Sequence, residues 1–158
     1  MLNEQPMDVI KQIESDLSQA AKNKDGLALL VLRGLKTALV NLEIAKTRQA
    51  LTDQEIFKAF RTEVKRRQEA TTLYQKGGRP ELAEKEIKEI EIIKRYLPAE
   101  ISPEVIKSKV QAEIISMAAT GPQDLGKVMA KVMAFFQGQA DGGLVNKIVA
   151  EELNALKK

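Results

Sequence analysis

A chain of 158 residues with neither Cys nor His excludes thiolate and imidazole nucleophiles, imidazole acid–base catalysis, Cys/His metal sites and disulfides. Charged residues make up 30% and aromatic ones 4%, with no Trp, so the core must be aliphatic and an all-helical protein is favoured. The net charge of +3 decides little, but it is unevenly spread: Lys58 to Arg79 holds seven basic residues against two acidic, whereas residues 99–158 hold seven of each.

The opening stretch, MLNEQPMDVIKQIESD, is polar and acidic and shows no secretory leader. The longest apolar run, Leu27 to Leu32, stops at Arg33 and is too short to span a bilayer. A cytoplasmic protein without membrane contact is the expectation. The first predicted helix covers 6–23, starting at Pro6, with Val9, Ile10, Ile13, Leu17 and Ala20 on one face. Asp25 can cap the second, 26–47, in which Leu27, Val31, Leu35, Ala38, Leu39 and Leu42 point inward. Thr52 and Glu55 form a capping box for a third helix over 53–75, which carries Ile56, Phe57, Phe60, Val64 and Tyr74 inward and stops at Gly77-Gly78.

Arg67 breaks that helix's pattern. At 100° per residue it falls inside the apolar stripe with Phe60, Val64 and Tyr74, whereas Lys58, Arg61 and Lys65 fall roughly opposite. Buried charges are normally paired, so Arg67 is read as a half-buried arginine at a helix junction, bonded to Glu43, Glu63 or Glu91, rather than as a ligand-binding group. Lys58, Arg61 and Lys65 read as a solvated face and as a secondary candidate surface for a polyanion.

Pro80 opens a fourth helix over 80–95, where its missing N–H costs nothing. Leu82, Ile87, Ile90 and Ile93 or Tyr96 make its core face. Glu81–Lys85, Glu84–Lys88 and Glu91–Arg95 are favourably ordered i,i+4 pairs, which account for its charge run. Interleaved lysines, with no Asp or His to complete a ligand set, argue against a metal site there. Pro98 ends this unit, placing a boundary between residues 1–98 and 99–158.

Ser102 and Pro103 start a fifth helix, 103–118, with Ile106, Val110, Ile114 and Met117 on one side. Thr120 with Gln123 suggests a capping box for a sixth, 122–136, whose stripe is Leu125, Val128, Met129, Val132, Met133 and Phe136. Gly126 lies within that helix at a cost of about 1 kcal/mol relative to Ala, which points to a close approach. Gly138 breaks the helix, and Gln139 and Ala140 lie in the joining turn. Asp141 is placed to cap a seventh helix, 142–156, carrying Leu144, Val145, Ile148, Val149, Leu153 and Leu156. Lys127 and Lys131 share one face of the sixth helix, and Asn146 and Lys147 sit in the first turns of the seventh. A helix start of this kind suits a phosphate. No catalytic constellation stands out: Gly126-Lys127 and Gly77-Gly78-Arg79 lack P-loop spacing.

RGLKTALVNLEI (33–44), EVKRR (63–67), GRPELAEKEIKEI (78–90) with YLP (96–98), GKVMAKVM (126–133) and GQADGGLVNKIV (138–149) occur in this order. On these blocks the chain resembles, nearly end to end, the YqeY-like proteins of the GatB/YqeY family. The resemblance implies an all-α fold: an N-terminal four-helix unit, then a C-terminal three-helix unit related to the tail domain of the B subunit of the glutamine-dependent tRNA amidotransferase. In that enzyme the tail contacts the tRNA, while phosphorylation and glutaminase chemistry sit elsewhere. Two departures are Gly143, where a charged residue is more usual, and Phe135-Phe136, replacing a more polar stretch.

The resulting expectation is a non-catalytic helical module, without cofactor or metal, that binds tRNA or a tRNA-charging or amidating enzyme. Lys127, Lys131, Gln139, Asn146 and Lys147 are the candidate RNA contacts, with Arg67, Gly126 and Asp141 structural. The alternatives are an accessory subunit of a carbon–nitrogen ligase using glutamine as amide donor, and a protein–protein adaptor.

Overall fold

The computed structural model describes residues 8–137 and 139–156; Pro6 and Gly138 lie outside them. Every regular element among the described residues is helical, as expected. The α-helices are α1 (Val9–Lys22), α2 (Gly26–Ala45), α3 (Asp53–Lys76), α4 (Pro80–Lys94), α5 (Pro103–Ser116), α6 (Leu125–Phe135) and α7 (Gly142–Ala155). The chain divides into two compact units, Met1–Leu97 and Pro98–Lys158.

In the first unit, Ile13 and Ala20 of α1, Val31, Leu32, Leu35 and Leu39 of α2, Ile56, Phe60 and Val64 of α3, and Ile90, Ile92 and Ile93 of α4 are buried together. Asp8, Asp25 and Thr52 cap their helices through side-chain oxygens. The box at Thr52 is complete: Thr52 N–H donates to Glu55 Oε2 at 2.8 Å and Glu55 N–H to Thr52 Oγ1 at 3.2 Å. Lys46 Nζ reaches the same Glu55 oxygen at 2.8 Å and also donates to the Ala50 carbonyl at 3.2 Å, tying the end of α2 to the start of α3. The Lys46 hydrogen bond, helped by that from Thr52, holds the Glu55 carboxyl below its usual pKa.

The buried face of α4 differs from the expected one. Ile87 is exposed, and Ala83, Glu89 and Ile92 are buried with Ile90 and Ile93. On a 100° wheel Ile87 lies about 120° from Ile93, at the edge of the stripe, whereas Glu89 lies about 40° from it. Arg67 explains why a glutamate is tolerated there. Its Nε donates to Glu89 Oε2 at 2.9 Å and its Nη1 to Glu63 Oε2 at 2.8 Å. Burial pulls the pKa of the Arg67 guanidinium down, but the bonds to Glu63 and Glu89 outweigh it and the net shift is upward. Of the three expected partners only Glu63 bonds Arg67: Glu91 is exposed, two residues and so 200° round α4 from Glu89.

The α3–α4 turn and the end of α5 make the same closure with different residues. After α3, Gly78 takes φ +71° and Arg79 N–H bonds the Tyr74 carbonyl at 2.8 Å. After α5, Ala118 takes φ +51° and Ala119 N–H bonds the Ile114 carbonyl at 3.0 Å. Both are left-handed caps of the kind glycine favours, and alanine there carries a Cβ penalty. Ala118→Gly is therefore expected to stabilise the protein by about 0.5–1 kcal/mol, read as a higher denaturation midpoint at unchanged m-value. A lower midpoint would show that the Ala118 methyl contributes more than its backbone strain costs.

Candidate nucleic-acid interface

In the second unit Ile106, Val110 and Ile114 of α5, Val128 and Val132 of α6 with Phe136 just beyond it, and Val145, Ile148, Val149 and Leu153 of α7 form one buried cluster. These apolar positions fix the phase of α6 and turn its polar residues outward. Lys127 and Lys131 are both exposed. They are four residues apart, about 6 Å along the axis and 40° round it. In this unit Lys107 pairs with Glu152 at 3.6 Å and Lys109 with Glu113 at 2.9 Å, whereas among the described residues neither Lys127 nor Lys131 forms a salt bridge.

The start of α6 differs from the expected capping box. Pro122–Asp124 forms a 3₁₀ turn, and α6 begins only at Leu125. Asp124, not Gln123, reaches back to the backbone: Thr120 N–H donates to its Oδ2 at 2.8 Å. Gln123 Nε2 instead donates to Thr120 Oγ1 at 2.9 Å. The extra turn moves the helix start by three residues and hands the reaching-back role to the next side chain. The Asp124 carboxyl sits below its ordinary pKa, chiefly through the Thr120 N–H, with the Gly121 N–H and the charge of Lys127 adding to it. A depressed carboxylate adds stability at neutral pH that is lost as pH falls through the acid range.

Gly126 is the second residue of α6 rather than an interior one, and it is exposed. A Cβ built there meets nothing within 4 Å. Among the described residues nothing makes the close approach expected at Gly126.

Asp141 caps α7, its Oδ1 accepting the Gly143 N–H at 3.1 Å. A phosphate approaching this helix start would meet that carboxylate, so the electrostatic case for an anion rests on the α6 lysines and not on the α7 terminus. Asn146 and Lys147 are exposed on the fifth and sixth residues of α7, Gln139 is exposed in the turn, and Ala140 beside it is buried in the core. In the first unit Lys58 and Lys65 of α3 are exposed and Arg61 is partly so.

The sequence marks Phe135 only as half of an aromatic pair that departs from the family pattern. Phe135 is exposed while Phe136 is buried, and Lys109 of α5 places its Nζ 3.8 Å from the Phe135 ring centroid. The signal was the adjacent aromatic pair: residues 100° apart on one helix cannot both face a narrow core. Among the described residues no cluster of three or more Asp and Glu side chains is placed to hold a metal ion, and no helix is long and apolar enough to cross a membrane.

The family model described as Yqey-like protein matches residues 10–153. A protein of Pyrenophora tritici-repentis named "Altered inheritance of mitochondria protein 41, mitochondrial" is 26% identical over 153 residues, covering 93% of this chain and 82% of the relative. Proteins of the same name from Candida glabrata and Lachancea thermotolerans are 32% and 31% identical over 90 and 91 residues, which cover 56% and 58% of this chain. Those two matches span about half of the relatives' own length, 50% and 49%. The expectation of a cytoplasmic protein is corrected by these findings, because the relatives are named as mitochondrial. The lack of Cys fits any reducing compartment and does not single out the cytoplasm.

Proposed function

Because the chain belongs to the YqeY-like protein family, we propose that it is a helical module that binds tRNA, or an enzyme carrying tRNA, without chemistry of its own. The observation that supports this most is the exposed lysine pair Lys127 and Lys131 on one face of α6, unpaired by any salt bridge among the described residues. Phosphate contacts supply most sequence-independent affinity for nucleic acid, and two cations on a rigid helix are held ready to make them. Lys147 is a third, on a neighbouring helix. From the names of its relatives we also carry over a mitochondrial setting, to be checked by locating the tagged full-length protein in fractionated cells.

If three phosphates are contacted, log affinity for tRNA falls with a slope of about −2 to −3 against log salt. Raising salt from about 50 to 200 mM then weakens binding roughly 20- to 50-fold. The double variant Lys127→Ala/Lys131→Ala is expected to flatten the slope by about 1 to 2 units with helicity unchanged. Binding indifferent to salt, or a double variant that binds as the parent does, would remove the assignment. Loss through Lys58, Arg61 and Lys65 instead would move the surface to the first unit. Glutaminase activity of the isolated protein would favour the amide-transfer alternative.

A further inference from the structure

We propose that Phe135 is a stacking platform for an unpaired RNA base. The inference rests on the RNA-binding reading above and narrows it, from a charged surface to one that takes looped or single-stranded RNA.

Phe135 is the last residue of α6 and is 59% exposed. An isolated exposed apolar side chain is ordinary, but three features set this ring apart. Its orientation is held, because Phe136 packs against it edge to face at 5.1 Å and 80°, and Phe136 is itself buried in the core. A cation already sits on it, Lys109 Nζ at 3.8 Å from the centroid, drawn by the negative face of the ring and anchored by Glu113 at 2.9 Å. And it continues the lysine row: residues 127, 131 and 135 follow one another at four-residue spacing, each about 40° further round α6. Cations that attract a phosphate backbone thus lead to a flat hydrophobic ring held by its neighbour. That pairing of charge and aromatic face is what binds unstacked bases, and it is tolerant of sequence because every base has a π-face. A regular duplex hides its bases within the stack and gains nothing from the ring.

The test measures fluorescence anisotropy of a labelled oligoadenylate and of a blunt RNA duplex of equal length, with the full chain, Phe135→Leu and Phe135→Tyr. The full chain should favour the single strand. Phe135→Leu should weaken the single strand roughly 5- to 150-fold, the range for one stacked base, leaving the duplex and the salt slope unchanged. Phe135→Tyr should retain single-strand binding. Equal loss for both RNAs, or no loss for either, overturns the proposal. If Phe135→Leu binds as the parent does while Lys127→Ala/Lys131→Ala weakens binding, stacking alone fails and the phosphate-binding surface stands. Absence of salt-dependent binding to either RNA overturns both. A dimer of the full chain in sedimentation velocity that Phe135→Leu abolishes would assign the ring to a protein interface and overturn stacking.

Discussion

Arg67→Met is expected to destabilise the first unit by about 3–5 kcal/mol, the cost of removing one member of a buried ion pair. The loss comes less from the attraction that disappears than from what remains. Glu89 is 6% exposed and is the buried charged residue among the described residues of the core; without the guanidinium its carboxylate is left in apolar surroundings. The Arg67 side chain retains 18% of its accessibility, and water reaching through that opening favours the lower end of the range. The chain's two tyrosines, Tyr74 and Tyr96, both lie in the first unit, and there is no Trp. Tyrosine fluorescence during urea unfolding therefore reports on this unit alone. Arg67→Met/Glu89→Leu should recover most of the loss, because apolar replacement of a whole buried pair is often neutral or better. A single variant that costs under about 1 kcal/mol would show that the pair is solvated and adds little.

Phe60→Ala should have an effect of similar size, about 3–5 kcal/mol, as expected for a large side chain deleted from a core. Phe60 is wholly inaccessible and meets Tyr96 edge to face, with centroids 6.5 Å apart and planes at 75°. Tyr96 in turn donates its hydroxyl to Asp16 of α1, whose other oxygen accepts from Gln12 Nε2 at 3.0 Å. Burial, reinforced by the hydrogen bond to the Asp16 carboxylate, pushes the Tyr96 phenol well above its usual pKa, so it stays a donor throughout the physiological range. Removing the Phe60 ring thus opens a cavity and also releases the side chain that links the end of α4 to α1. Phe60→Ala and Tyr96→Phe should couple by about 0.5–1.5 kcal/mol in a double-mutant cycle, as neighbouring residues do. Strict additivity would mean that the Tyr96 position is set by other neighbours.

These two sites show what could be read from one chain and what could not. The 3.6-residue period placed Phe60 in the core and put Arg67 among apolar residues, because helical phase depends only on spacing within one element. The identity of the partner carboxylate depends on the register of α4 against α3, which no spacing within α3 encodes. Glu89 also lay hidden among glutamates whose i,i+4 lysines explained them locally; of these pairs Glu84–Lys88 forms at 3.3 Å, while Glu81 turns back to Arg79 at 2.9 Å. At the candidate interface the lysines were legible for the same reason of phase. The 3₁₀ turn at Pro122 was not, because Thr120, Gln123 and Asp124 offer several competing caps of similar energy. Which ring of the Phe135-Phe136 pair is exposed was not legible, because it is decided by where the neighbouring helix packs.

The Arg67 pair also divides the α3–α4 hairpin in two. On one side of it, Ile56, Phe60 and Val64 meet Ile90 and Ile93 in the core; on the other, toward Gly78, Ala83 is the buried side chain among the described residues. Cooperative opening free energies follow the amount of apolar surface holding each segment. Amide protons from Ile56 to Val64 will therefore exchange with solvent only when the whole unit unfolds. Those from Thr71 to Lys76 will exchange through fraying that starts at the turn and leaves the core closed. Arg67, bonded to Glu89 across the hairpin, is the stop against which that fraying ends, so the protection profile along a single unbroken helix should fall at one side chain.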